Sequence, residues 1–125
     1  MLFRSAAAFF QRHPDLDVGV HLTLTSEWSA YRWGPISTRD PESGLFDRQG
    51  YFHHCAADLA GKADAAGAER ELRAQLERAI REGIDITHLD SHMFACFHPE
   101  FLPIYLKLAL QHQLPPLVWR MEASN

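Results

Sequence analysis

Cysteine is scarce: Cys55 and Cys96 are the only two in 125 residues, and they lie far apart without a pairing pattern. A disulfide-stapled scaffold is excluded, and free thiols in a reducing, cytoplasmic setting are expected. Positive charge is also short, with 12 Lys and Arg against 16 Asp and Glu for a net charge of -4. The mixed-charge stretch 69–82 is balanced rather than basic, so nucleic acid is not an expected partner. No apolar run approaches the length of a membrane span. Arg4 precedes a short run from Ala6 to Phe10, but Gln11, Arg12 and His13 end it with no small-residue cleavage site, so no secretory leader is expected. Internal repeats and interdomain linkers are missing too. With 46% hydrophobic and 22% charged residues, the composition is that of one soluble globular domain over residues 1–125.

Histidine, by contrast, is abundant, with eight copies. Their placement depends on the elements around them. Phe3, Ala6, Ala7 and Phe10 recur at helical spacing, which predicts a helix over 2–12 that closes before Pro14. From Asp17 to Thr25 the chain alternates, with Val18, Val20, Leu22 and Leu24 on one face and Gly19, His21, Thr23 and Thr25 on the other, as in a strand. Residues 26–66 form a long loop rich in Trp, Pro, Gly, Asp and Ser, of a length usually tied to function. A helix is expected over 68–82, with Ala68, Leu72, Leu76, Ala79 and Ile80 on its stripe and Gly83 as its stop. A second strand over Ile84–Leu89, a helix over Pro99–Gln113 with Phe101, Leu102, Tyr105, Leu108 and Ala109 inward, and a strand at Leu117–Trp119 complete the alternation. This is the pattern of parallel α/β architecture.

Parallel β/α folds collect functional side chains at the carboxyl ends of their strands. His21 lies on the polar face of the first strand. His88, Asp90 and His92 share parity at the end of the second, so an extended chain projects all three to one side. Two imidazoles from neighbouring strands then suit one divalent ion, with zinc, iron, nickel or manganese favoured by nitrogen and magnesium by any carboxylate. Asp90 is the candidate catalytic residue, either orienting an imidazole or serving as a ligand itself. A lone histidine on a strand is more often a hydrogen-bonded structural residue, and the cluster brings the metal reading only level with that one.

Other candidates carry two readings each. Trp28, Tyr31 and Trp33 suit either a sugar-stacking platform or packing of the long loop. Arg120 suits either a substrate contact or a surface ion pair. His53, His54 and Cys55 are adjacent in one loop and read as solvated residues rather than a tetrahedral site. His98 reads as the residue flanking a helix start at Pro99.

The segments DVGVHLTLTSEW (17–28) and ITHLDSHM (86–93) resemble the YdjC family of carbohydrate deacetylases, also called the chitooligosaccharide deacetylase or hopanoid-biosynthesis-associated family. The WGP turn at 33–35, the helix bearing Glu71, Leu72 and Gln75, and the LPPLVWR segment extend the resemblance over most of the chain. It implies a distorted TIM-like β/α barrel that removes acetyl groups from N-acetylated sugars with a divalent metal, usually magnesium, with zinc or manganese as alternatives. His21 matches the histidine of the family's G-hydrophobic-H motif and His92 that of its DSH motif, both metal ligands. Phe94 departs from the pattern, since many relatives carry a further histidine there.

In the family a third ligand and the catalytic base come from an N-A-D-D motif on an opening strand that precedes the helix matching 2–12. The chain is therefore expected to be a partial barrel missing its opening and closing strands, with a loop insertion at 26–66. A metal-dependent deacetylase is the expected function, with Trp28, Trp33 and Arg120 as substrate contacts. A catalytically inactive fragment or binding module of the same fold is the alternative, and a metal-free structural protein ranks last. Uncovered apolar strand edges predict self-association as a homo-oligomer.

Overall fold

A computed structural model of the protein describes residues 2–120. The first helix, α1, covers Leu2–Arg12 as its spacing predicts. Ala7 is buried and Phe10 half-buried, whereas Ala6 is exposed, and the side chain of Phe3 lies outside the described residues. The amide of Gln11 donates to the backbone oxygen of Glu82 at 2.7 Å, which ties the end of α1 to the end of the next long helix.

Strand β1 spans Gly19–Leu22 and pairs in parallel with β2, His88–Ser91, matching Gly19 with His88 and His21 with Asp90. Both strands are shorter than their patterns suggest, and β2 begins four residues later than expected. Just beyond β1, Thr23 exchanges its backbone groups with a side chain instead of a strand. Gln75 Oε1 accepts from Thr23 N at 2.9 Å and Gln75 Nε2 donates to Thr23 O at 2.8 Å. The alternation also ends there, because Leu24, Thr25 and Ser26 are all buried.

Helix α3, Ala65–Arg81, follows a short α2 at Ala56–Leu59. Asp64 caps α3 by accepting from Gly67 N, and Gly83 leaves it with a φ of 78°, a conformation glycine adopts freely. Ala68, Leu72, Leu76 and Ala79 are buried as expected, but Ile80 is 45% exposed. Glu71 takes a place on the inward face instead. Burial of Leu72 and Leu76 contributes about 2 kcal/mol each. Helix α4, Leu102–Gln111, starts with Pro103 in its first turn and buries Ile104, Tyr105, Leu108 and Ala109.

The expected third strand at 117–119 is reduced to a single parallel bridge, Leu89 with Pro116, one residue upstream. Leu89 N donates to Pro115 O at 3.1 Å and Leu117 N to Leu89 O at 2.7 Å. The Tyr105 hydroxyl sits between Leu89 O and Leu117 O, at 3.0 and 2.9 Å, and holds the segment beside β2. Proline at 115 and 116 supplies no amide, which limits the ladder to this bridge.

The segment 26–66 is folded onto the same core rather than standing apart, since Leu45, Phe52 and Leu59 belong to the cluster that holds Leu22, Leu72, Leu89 and Tyr105. Arg32 braces it, donating to Asp47 at 2.7 Å and to Phe52 O at 2.6 Å. Glu71, fully buried, accepts from the amides of Ile36 and Ser37, the latter at 2.8 Å, and from Gln75 at 2.7 Å. One buried carboxylate thus fastens the loop to α3, and Gln75 fastens α3 to β1. Among the described residues no helix is long and apolar enough to cross a membrane.

Candidate metal centre

Register places Gly19, His21, His88 and Asp90 on one face of the two-stranded sheet, because partners in a parallel ladder project to the same side. Gly19 is required there: a Cβ on it would meet the His88 ring at 2.4 Å. His88 occupies that space and makes a 3.0 Å contact with Thr87 Oγ1. His21 and Asp90, one step on, meet directly, with His21 Nδ1 at 2.8 Å from Asp90 Oδ1.

After Ser91 the chain leaves the strand. His92 opens a 3-10 turn, His92–Phe97, in which Met93 and Phe94 take left-handed backbone angles with φ of 49° and 54°. Two consecutive bulky residues in that region are strained, and such strain gathers at functional sites. The turn aims the His92 ring back at β1, and His92 Nδ1 lies 3.1 Å from His21 Nε2. The other nitrogen, His92 Nε2, is 2.7 Å from Glu27 Oε2. Burial pushes the Glu27 carboxyl upward, but the hydrogen bond and charge of His92 outweigh it and hold Glu27 below the usual 4.5.

Four side chains therefore form a line: Asp90, His21, His92, Glu27. Carboxylates accept only, so His21 carries its proton on Nδ1 and His92 on Nε2. The second nitrogens, His21 Nε2 and His92 Nδ1, are the two that face each other. Two lone pairs at 3.1 Å call for a cation between them, either a proton or a metal. That separation is less than twice an imidazole–metal bond of about 2.1 Å, so one ion can reach both. Carboxylate–histidine pairs behind each bare nitrogen are the usual support of metal-binding imidazoles. Among the described residues no group of three or more His, Cys, Asp and Glu is placed to hold a metal. Among the described residues, the donors that face one another here are two nitrogens.

Aromatic residues surround the line. The Trp33 ring meets His92 edge-on at 5.6 Å, while its indole N–H donates to Thr25 O at 2.9 Å. Trp33 is thus a wall of the site, and Trp28 and Tyr31, 63% and 70% exposed, are its accessible aromatics. A cleft of about 550 Å³ lined by Phe10, Val20, His21, Ile36 and Ile86 among others runs along β1 up to His21. Arg120 is exposed beyond the Pro116 bridge. His53 contacts Gly44 O at 3.0 Å, and His98 Nδ1 accepts from Glu100 N at 3.3 Å as part of the turn into α4. Cys96 is buried, which pushes its thiol up to about 11 and removes it as a nucleophile near neutral pH.

Glu27 went unassigned on sequence grounds. It follows a strand-like run, in a loop with no periodicity, and nothing in its spacing links it to a residue 65 positions away.

Carbohydrate deacetylases of Thermus thermophilus and Brevibacillus brevis are 43% and 40% identical over 102 and 113 residues, covering 82% and 90% of this chain. The chain spans only 37% and 42% of those relatives. A crystal structure from Enterococcus faecalis V583, of a protein to which cellobiose-phosphate cleavage is ascribed, superimposes with a TM-score of 0.76 at 30% identity, covering 90% of this chain and 42% of that one. The family model described as YdjC-like protein matches residues 2–124, and the chain belongs to that family.

Proposed function

We propose that this chain carries part of the active site of a metal-dependent hydrolase that removes acetyl groups from N-acetylated carbohydrates. The observation that carries the reading is the pair of imidazole nitrogens facing each other at 3.1 Å, each ring held by a carboxylate on its other nitrogen. The name carbohydrate deacetylase, borne by the relatives, supplies the reaction class.

His21 and His92 would hold the ion, magnesium by family resemblance and zinc or manganese by the nitrogen donors. When bound, such an ion would polarise an amide carbonyl and acidify a coordinated water, to a pKa of about 7 in the case of zinc. Asp90 fixes the tautomer of His21 and so acts through it. Trp28 and Tyr31 offer flat apolar faces to a pyranose ring, with Trp33 closing the wall beside His92; Arg120 is a more distant substrate contact. The remaining donors and the base that receives a proton from water would come from residues beyond these two histidines. We also infer that β1, β2 and the Pro116 bridge are consecutive staves of a β/α barrel, as their common parallel direction supports. Two free thiols fit a cytoplasmic setting.

Acetate release from N-acetylated chitooligosaccharides, assayed with and without added magnesium, manganese or zinc, tests the reading. His92→Ala is expected to reduce release to background, and normal turnover by that variant would refute the ligand role. A non-catalytic binding module is the second reading, favoured by the two-nitrogen donor set. It predicts sugar binding without acetate release under every metal.

A further inference from the structure

We infer that Glu27 is a positioning residue that selects Nδ1 of His92 as the metal-facing nitrogen. This rests on the metal reading above and extends it to a residue other than the two histidines. His21 and His92 present opposite ring nitrogens to the shared point, Nε2 and Nδ1 respectively. Asp90 explains the first choice from the neighbouring strand. Glu27 explains the second from a loop, and its placement is fixed by bonds on both sides of the bend. Ser26 N donates to His53 O at 2.8 Å, Trp33 N donates to Ser26 Oγ at 3.1 Å, and the Trp33 indole donates to Thr25 O. The carboxylate arrives at 2.7 Å from His92 Nε2 while the Trp33 ring restricts the imidazole from its edge.

Removing the carboxylate has a definite consequence. Free of Glu27, a neutral, metal-free His92 is better served with its proton on Nδ1, where His21 Nε2 accepts it across 3.1 Å. That proton then occupies the position an ion would take. Metal binding has to displace it, so affinity falls. With Glu27 present, its carboxylate holds a ring proton on Nε2 and leaves Nδ1 turned toward the point shared with His21.

The test compares the unaltered chain with Glu27→Leu and Glu27→Gln. Ring nitrogens are observed by proton–nitrogen correlation spectra of the metal-free proteins at about pH 8, where imidazoles are ordinarily neutral. Zinc affinity is measured by calorimetry. The unaltered protein should carry a proton on His92 Nε2. Glu27→Leu should move it to Nδ1 and weaken zinc binding by about 10- to 100-fold. Glu27→Gln, whose amide oxygen still accepts from Nε2, should keep the proton there and weaken zinc binding less. An unchanged ring proton and unchanged zinc affinity in Glu27→Leu overturns the inference. If Glu27→Leu does not fold, Glu27→Ala takes its place, and an unchanged ring proton with unchanged zinc affinity in that variant overturns the inference. Failure of the metal reading is separable: the unaltered chain would then take no zinc while the ring proton still responded to Glu27.

Discussion

His21 Nε2 and His92 Nδ1 face each other at 3.1 Å although 71 positions separate them in the chain. Each ring has its other nitrogen committed to a carboxylate, so neither can rotate to relieve the opposition without breaking a 2.7 or 2.8 Å bond. Zinc is expected to bind this chain weakly, through two nitrogens, and magnesium more weakly still because hard ions favour oxygen. Calorimetric titration should show zinc binding lost in both His21→Ala and His92→Ala. Retained binding in His92→Ala would mean that the ion sits elsewhere.

The buried carboxylate of Glu71 gives the largest expected stability effect outside the hydrophobic core. Glu71→Ala strands the amides of Ile36 and Ser37 and frees Gln75 from one of its partners. A loss of about 3 kcal/mol in urea unfolding is expected, since bonds to a charged acceptor are strong and buried amides are costly to leave unpaired. Glu71→Gln, which keeps an acceptor, should lose less. Equal losses for both would count against the hydrogen-bond account.

Asp47 adds a pH dependence whose direction follows from its surroundings. Burial raises its carboxyl, but bonds from Arg32 and from the amides of Tyr51 and Gln49 outweigh that and hold it below 3.8. A depressed carboxylate stabilises fully above its unfolded value, and that contribution disappears as pH falls below 3.8 toward the folded value. Asp47→Asn should therefore be less stable than the parent at neutral pH, with the gap closing in acid. A gap that stays constant down to about pH 2 would contradict this.

Met93 is 60% exposed and sits at a φ of 49°, so its left-handed backbone strains the turn while its side chain packs little. Met93→Gly should raise stability by about 1 kcal/mol, the usual cost of a left-handed residue bearing a Cβ, partly offset by the entropy of glycine. Thermal unfolding would reveal it. A lower midpoint would show that the Met93 side chain holds the turn that aims His92.

The site was legible in the sequence where local rules apply and opaque where they do not. Alternation over 17–25 correctly puts His21 on the face opposite Leu22, and shared parity correctly joins Asp90 to that face through the parallel register. Parity also groups His88 with them, yet its ring fills the space over Gly19 and contacts Thr87. His92 reaches the site for a different reason than parity, because the chain has already left the extended state and a left-handed turn swings the ring back. Ile80 has the right periodicity for burial and is exposed, since Glu71 and the loop it binds shift the packed face of α3.

Pattern and composition determined the elements: helices from the spacing of apolar residues, a strand from alternation, a histidine at each strand end. These are properties of neighbours in the chain, where backbone geometry alone dictates which side chains share a face. Which nitrogen of each imidazole faces the other ring was decided only in three dimensions. That depends on Asp90 and Glu27 arriving from a neighbouring strand and from a folded loop, and a hydrogen bond between residues 65 or 69 positions apart leaves no periodicity to read. The sequence supplied the two histidines; long-range packing of Trp33, Glu71 and Gln75 set the loop and strand that point them at each other.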